Sequence, residues 1–126
     1  MTREDELSHK IIGAAIEVHR ELGPGLLESA YEECLCHELS ASGLSFERQK
    51  RLPVVYKGIA LDCNYRLDVV VESLVVIELK AVEAILPVHE AQMLTYLKLS
   101  GLRLGLILNF SMDTMGKGIK RIVLGL

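Results

Sequence analysis

The chain has 126 residues, half of them hydrophobic, and a formal net charge of −3. That length suits one domain with a single core, residues 1–126. The slight acidity excludes a global basic field that would draw the chain onto nucleic acid, so any such contact has to come from a local patch. The charged opening "MTREDELSHK" lacks the apolar stretch of a secretory leader, and no apolar run is long enough to span a bilayer. A soluble, cytoplasmic protein with no membrane partner is the expectation. Cys34, Cys36 and Cys63 are odd in number, which argues against a disulfide framework. Cys34 and Cys36 lie two apart on a predicted helix and point in different directions, so with His37 they do not converge on one ion.

In chain order, Leu7, Ile11, Ala14, Ala15, Val18 and Leu22 recur at helical spacing and predict a helix over residues 4–22. "LGPG" breaks it, and Pro24 and Gly25 are expected to open a second helix running to about Gly43. Strand signals follow at 52–57, then a turn at Gly58, then strands at 65–71 and 74–80. Residues 86–100 return to helical periodicity. A strand is expected at 102–110 and a short last one at 119–124. This order predicts an α/β domain, helices packed on a small mixed sheet.

"YRLDVVVESLVVIELKA" holds three charges in two otherwise apolar strands: Asp68, Glu78 and Lys80. Side chains alternate along a strand. Leu67, Val69 and Val71 therefore share one face of the first strand, and Val75, Ile77 and Leu79 one face of the second. Pairing those apolar faces in a hairpin sets Val71 opposite Val75 and Val69 opposite Ile77, with a loop Glu72-Ser73-Leu74. Asp68 then falls opposite Glu78, on the face away from Leu67, Val69, Ile77 and Leu79, with Lys80 one step along. Two facing carboxylates repel unless a cation lies between them, and hard oxygen ligands suit Mg²⁺ or Mn²⁺. The competing reading is a surface ion pair with Lys80.

Asp68 followed by Glu78-Leu79-Lys80 resembles the signature of the PD-(D/E)XK nuclease superfamily. "GLLESAY" (Gly25, Glu28, Tyr31) resembles the motif of its GxxExxY family, as do "VHRELGPG", "HEAQMLTYL" and "LGLILNF". Leu67 stands where the superfamily often has Pro. The resemblance implies a restriction-endonuclease-like core and a metal-dependent nuclease acting on nucleic acid, DNA foremost. It implies metal ligands Asp68, Glu78 and Glu28, with the Leu79 carbonyl as a further one, and Lys80 beside them. Gln92 and Tyr96, four apart on one helix face, resemble a Q-x-x-x-Y element that flanks the active site of RecB-like members; Gln92 joins the catalytic set and Tyr96, Tyr31, His89 and His19 surround it. On a helical wheel Glu28 falls inside the apolar stripe Leu27, Tyr31, Cys34, Leu35 and Leu39, as does Glu38, whereas Glu32 and Glu33 fall outside it. Lys50, Arg51, Arg66 and Lys98 are candidates for the rim. The alternative function is a nuclease-fold module that no longer cuts and binds nucleic acid or a protein partner.

Overall fold

The computed structural model describes residues 2–126. Its elements are helix α1 (Arg3–Leu22), helix α2 (Glu28–Ala41), strands β1 (Phe46–Tyr56), β2 (Ile59–Val71) and β3 (Val75–Lys80), helix α3 (Pro87–Ser100), strand β4 (Leu104–Asn109), a 3-10 turn at Met115–Gly118, and strand β5 (Ile119–Val123). The α/β reading therefore holds.

Thr2 caps α1: its hydroxyl accepts from the Asp5 N–H at 3.1 Å, and Asp5 accepts in return from the Thr2 N–H. The α1 stripe Leu7, Ile11, Ala14, Ala15 and Val18 is buried. α2 starts at Glu28, not at Pro24, because residues 23–27 carry the reversal between two helices; Gly23 stands at φ +73 and donates its N–H to the His19 carbonyl. The other end of α2 closes at Gly43 (φ +78), with the Leu44 N–H reaching back to the Leu39 carbonyl at 3.0 Å and Leu44 buried beneath it.

The five strands lie in the order β1-β2-β3-β4-β5. β1–β2, β2–β3 and β4–β5 are antiparallel; β3–β4 is parallel, joined by the crossover helix α3. The expected hairpin register is present: Val69 faces Ile77 and Val71 faces Val75, leaving Glu72-Ser73-Leu74 as the loop. Lys57 and Gly58, both with positive φ, form the two-residue turn between β1 and β2.

One face of the sheet buries Val69, Val71, Val75, Ile77, Leu79 and β4 residues against α1 and α2. The other packs Leu52, Val70, Val76 and Ile107 against Met93, Tyr96 and Leu97 of α3. Gly105 admits α3 to this second face, since a Cβ there would collide with the Met93 side chain. Tyr31 stacks on Phe110 in the first core, ring centroids 4.3 Å apart, and donates its hydroxyl to the Ala15 carbonyl at 2.8 Å. Such a stack adds about 0.5–1.5 kcal/mol beyond the area it buries.

Leu67 departs from simple alternation. It packs with Val70, Val76 and Tyr96 on the α3 face, not with Val69. The phase slips at Asp68. Across from it Gln49 adopts φ +49, and although Arg48 pairs with Val69 and Lys50 with Leu67, Gln49 and Asp68 between them do not pair. Register is the same on both sides of the slip, so no residue is inserted; both strands kink together.

Candidate active site

The kink is where the carboxylates meet. The β2–β3 ladder runs only through Val69, Val70 and Val71. One residue beyond it, the side chains bridge the backbones: the Asp68 N–H donates to Glu78 Oε1 at 3.2 Å, and the Leu79 N–H donates to Asp68 Oδ2 at 2.8 Å. Each carboxylate thus takes a bond that a regular ladder would have given to a carbonyl. Asp68 and Glu78 are brought together, but through these bonds at the kink and not as a regular facing pair on one side of the sheet.

Glu78 is 6 % exposed. Burial pushes its carboxyl up to about 8, and the neighbouring Asp68 charge pushes the same way; the Lys80 ammonium opposes them more weakly. Neither carboxylate forms an ion pair among the described residues. Tyr96, in the α3-side core, feels this pair: burial, then the charges of Glu78 and Asp68, raise its hydroxyl to about 12, so it stays protonated at any ordinary pH. Its ring meets Tyr65 edge-on at 5.2 Å.

Asp68 also opens on the opposite side, into a cleft of about 470 Å³ lined by Glu28, Ser29, Glu32, Arg48, Gln49 and Leu79. Glu28 is thus on the wall of a cleft shared with Asp68, at the first position of α2. It does not join the pair, however: among the described residues no three His, Cys, Asp or Glu side chains converge as a metal cage. The helical wheel also has Glu28 and Glu32 reversed. Glu28 is exposed and Glu32 is buried, because Glu32 receives Arg48 Nε and Gln49 Nε2, each at 2.8 Å. Those partners come from β1, so the helix sequence alone holds no sign of them. Both reach one side of β1 from consecutive positions, which the Gln49 kink permits.

Lys80 ends β3, half-buried, paired in register with Asn109. Asn109 is a residue the sequence reading passed over. It is 1 % exposed and holds the chain just after Lys80, accepting from the Val82 N–H at 3.1 Å and donating to the Val82 carbonyl at 2.8 Å. A lone amide in the apolar run "LGLILNF" was a legible signal. Gly118 must pass against its backbone, since a Cβ there would collide with the Asn109 carbonyl.

The remaining candidates have other partners. His89 Nδ1 accepts from the Leu86 N–H at 2.9 Å and so caps α3. His19 is buried, its Nε2 bonded to the Met112 carbonyl at 2.8 Å. Tyr31 belongs to the core described above. Gln92 is half-buried one turn before Tyr96 and makes no hydrogen bond among the described residues. Cys36 is buried, which lifts its thiol to about 11 and leaves it unreactive.

A family model described as the PD-(D/E)XK nuclease superfamily matches residues 5–122. The chain belongs to that superfamily. In this PD-(D/E)XK chain the five-stranded mixed sheet and three helices accord with the superfamily's fold, and the matched segment spans Asp68, Glu78 and Lys80. No curated protein and no solved structure matches it. No helix among the described residues is long and apolar enough to cross a membrane.

Proposed function

We propose that this PD-(D/E)XK domain, spanning residues 1–126, is a metal-dependent nuclease of the GxxExxY family that hydrolyses nucleic-acid phosphodiesters, DNA foremost. The observation that carries the reading is the meeting of Asp68 and Glu78 at a kink in an otherwise apolar sheet, with no cation paired to either among the described residues. The donor set fits Mg²⁺ or Mn²⁺. Two carboxylates supply hard oxygens, burial makes their joint ionisation costly without a cation, and Mg²⁺ commonly takes one or two carboxylates, with water and substrate filling the rest. Asp68, Glu78 and the Leu79 carbonyl would hold the ion, with Glu28 facing it across the cleft. When bound, the cation polarises the phosphate and acidifies water.

The chain's own groups do the rest. Lys80 presents its ammonium to a phosphate oxygen as charge builds there in the transition state. Asn109 fixes the end of β3 and hence the reach of Lys80. Tyr96 stays protonated and shields Glu78 from water on the α3 side. Gln92, one turn away, is free to donate to a phosphate.

The test is hydrolysis of single-stranded, duplex and branched DNA, and of RNA, with Mg²⁺ and with Mn²⁺. Lys80→Ala should lower cleavage by about two to three orders of magnitude while leaving the metal-induced rise in Tm. A wild type that binds nucleic acid but cuts no substrate with either ion would instead establish a silent binding module. One observation favours that second reading: the slight net acidity of the chain.

A further inference from the structure

Beyond the kink, β1 and β2 continue as a two-stranded arm. β2 touches β3 only at Val69–Val71, so from Arg66 to the Lys57-Gly58 turn the arm has β1 on one side and both outer edges open. Every residue from Pro53 to Arg66 except Val54 is exposed. An isolated ribbon of this kind gains little from its own packing.

Its charge is the reverse of the chain's. Residues 50–66 hold Lys50, Arg51, Lys57 and Arg66 against one carboxylate, Asp62, a net +3 within a chain of net −3. Arg51 and Arg66 are direct cross-strand partners. Like charges so placed destabilise a sheet. Neither arginine, nor Lys57, has an ion-pair partner among the described residues, although most other cations do. The pair sits two residues along the strand from Asp68, about 7 Å, and the tip at Ile59 lies about 30 Å away. Those lengths correspond to roughly two base pairs and nearly one turn of a duplex.

We propose that the β1–β2 arm is a duplex-binding ribbon that grips the phosphates flanking the Asp68 cleft through Arg51, Arg66 and Lys57. The duplex, and not a single strand, is the occupant because the arm offers no stacking platform: Tyr65 is engaged edge-on by Tyr96, which leaves Tyr56 at the tip as one exposed ring, and successive bases need more than one. A two-stranded ribbon also fits a major groove. A second copy of this chain is the poorer occupant, since symmetric arm-to-arm pairing would set one +3 ribbon against another. That the gripped phosphates feed a cutting site rests on the nuclease reading; the binding itself does not.

Binding is measured by fluorescence anisotropy on a 30-base-pair DNA duplex and on one of its strands, in chelator, across a salt series. Arg51→Ala/Arg66→Ala should lower the slope of log affinity against log salt by about 1.8, which amounts to roughly 60-fold weaker duplex binding at 0.1 M salt. Arg51→Lys/Arg66→Lys should keep the wild-type slope, showing that charge and not arm structure is read. Unchanged affinity and slope in the alanine pair would overturn the proposal. So would a wild type that prefers the single strand, or a dimer split by Val55→Asp/Ile59→Asp with DNA binding intact. Hydrolysis of bis(p-nitrophenyl) phosphate with Mg²⁺ separates the two readings: its absence in wild type counts against the nuclease and leaves the arm result standing.

Discussion

β3 and the β1–β2 arm are parts of one sheet that treat charge in opposite ways. Five of the six β3 residues are buried, Glu78 among them, whereas the first eight residues of β2 are all exposed. A charge in β3 pays for desolvation and alters its own protonation; a charge in the arm stays in water. The buried strand is therefore the place for chemistry that needs a perturbed group. The exposed ribbon is the place for attraction that works at a distance and weakens with salt.

The largest effect that would sharpen this contrast is on rate. Lys80→Ala should reduce cleavage by about two to three orders of magnitude while changing nucleic-acid affinity little, because the lost donor acts on transition-state charge. Single-turnover cleavage beside anisotropy checks it; undiminished cleavage would move the chemistry elsewhere.

The next effect is on stability and pH. Glu78 in the folded, metal-free chain titrates at about 8 against 4.5 for the ordinary group. The folded state thus holds a proton that the unfolded state has lost. Stability is full below about pH 4.5 and declines as pH rises toward 8, by up to about 1.4 kcal/mol per pH unit. Urea melts in chelator from pH 5 to 9 should show this decline in wild type and its loss in Glu78→Gln. Mg²⁺ should restore Tm at pH 8 and do progressively less at lower pH, where it competes with the proton. A flat wild-type profile would show that Glu78 is not buried as described.

Asn109→Ala should come next, costing about 1–3 kcal/mol by leaving the Val82 N–H and carbonyl unpartnered. It should also lower cleavage without altering the metal response, since Lys80 loses its anchor and the carboxylates do not. In the arm, Arg51→Ala should shift stability by no more than about 0.5 kcal/mol in either direction. A larger loss there would erase the distinction between the two regions.

What the sequence disclosed follows from how local each signal was. The nearness of Asp68 and Glu78 came from period-2 alternation in two adjacent strands: the register holds up to Val69, and the two side chains then bond across the kink. The same alternation misplaced Leu67, because the Gln49–Asp68 kink depends on a partner strand whose inner half, "FERQKR", reads as a charged loop. The Glu28 and Glu32 reversal has a similar origin: a helical wheel assumes that carboxylates face water, and the Arg48 and Gln49 that bury Glu32 lie 16 and 17 residues on. Helix and strand periods are written within a few residues. Kinks and buried ion pairs are agreements between segments, and one segment carries only half of each.

The parallel pairing of β3 with β4 sets the order in which the site can assemble. Asp68 and Glu78 belong to a hairpin closed by three residues, so they can meet as soon as that hairpin forms. The contacts that tie down Lys80 reach Asn109, 29 residues further on, across the whole of α3. Loops of that size close later and at greater entropic cost. During refolding the carboxylate pair should therefore become competent to take Mg²⁺ before the lysine is in position. Glu78→Gln should then have a higher folding φ-value than Asn109→Ala when their chevron plots are compared.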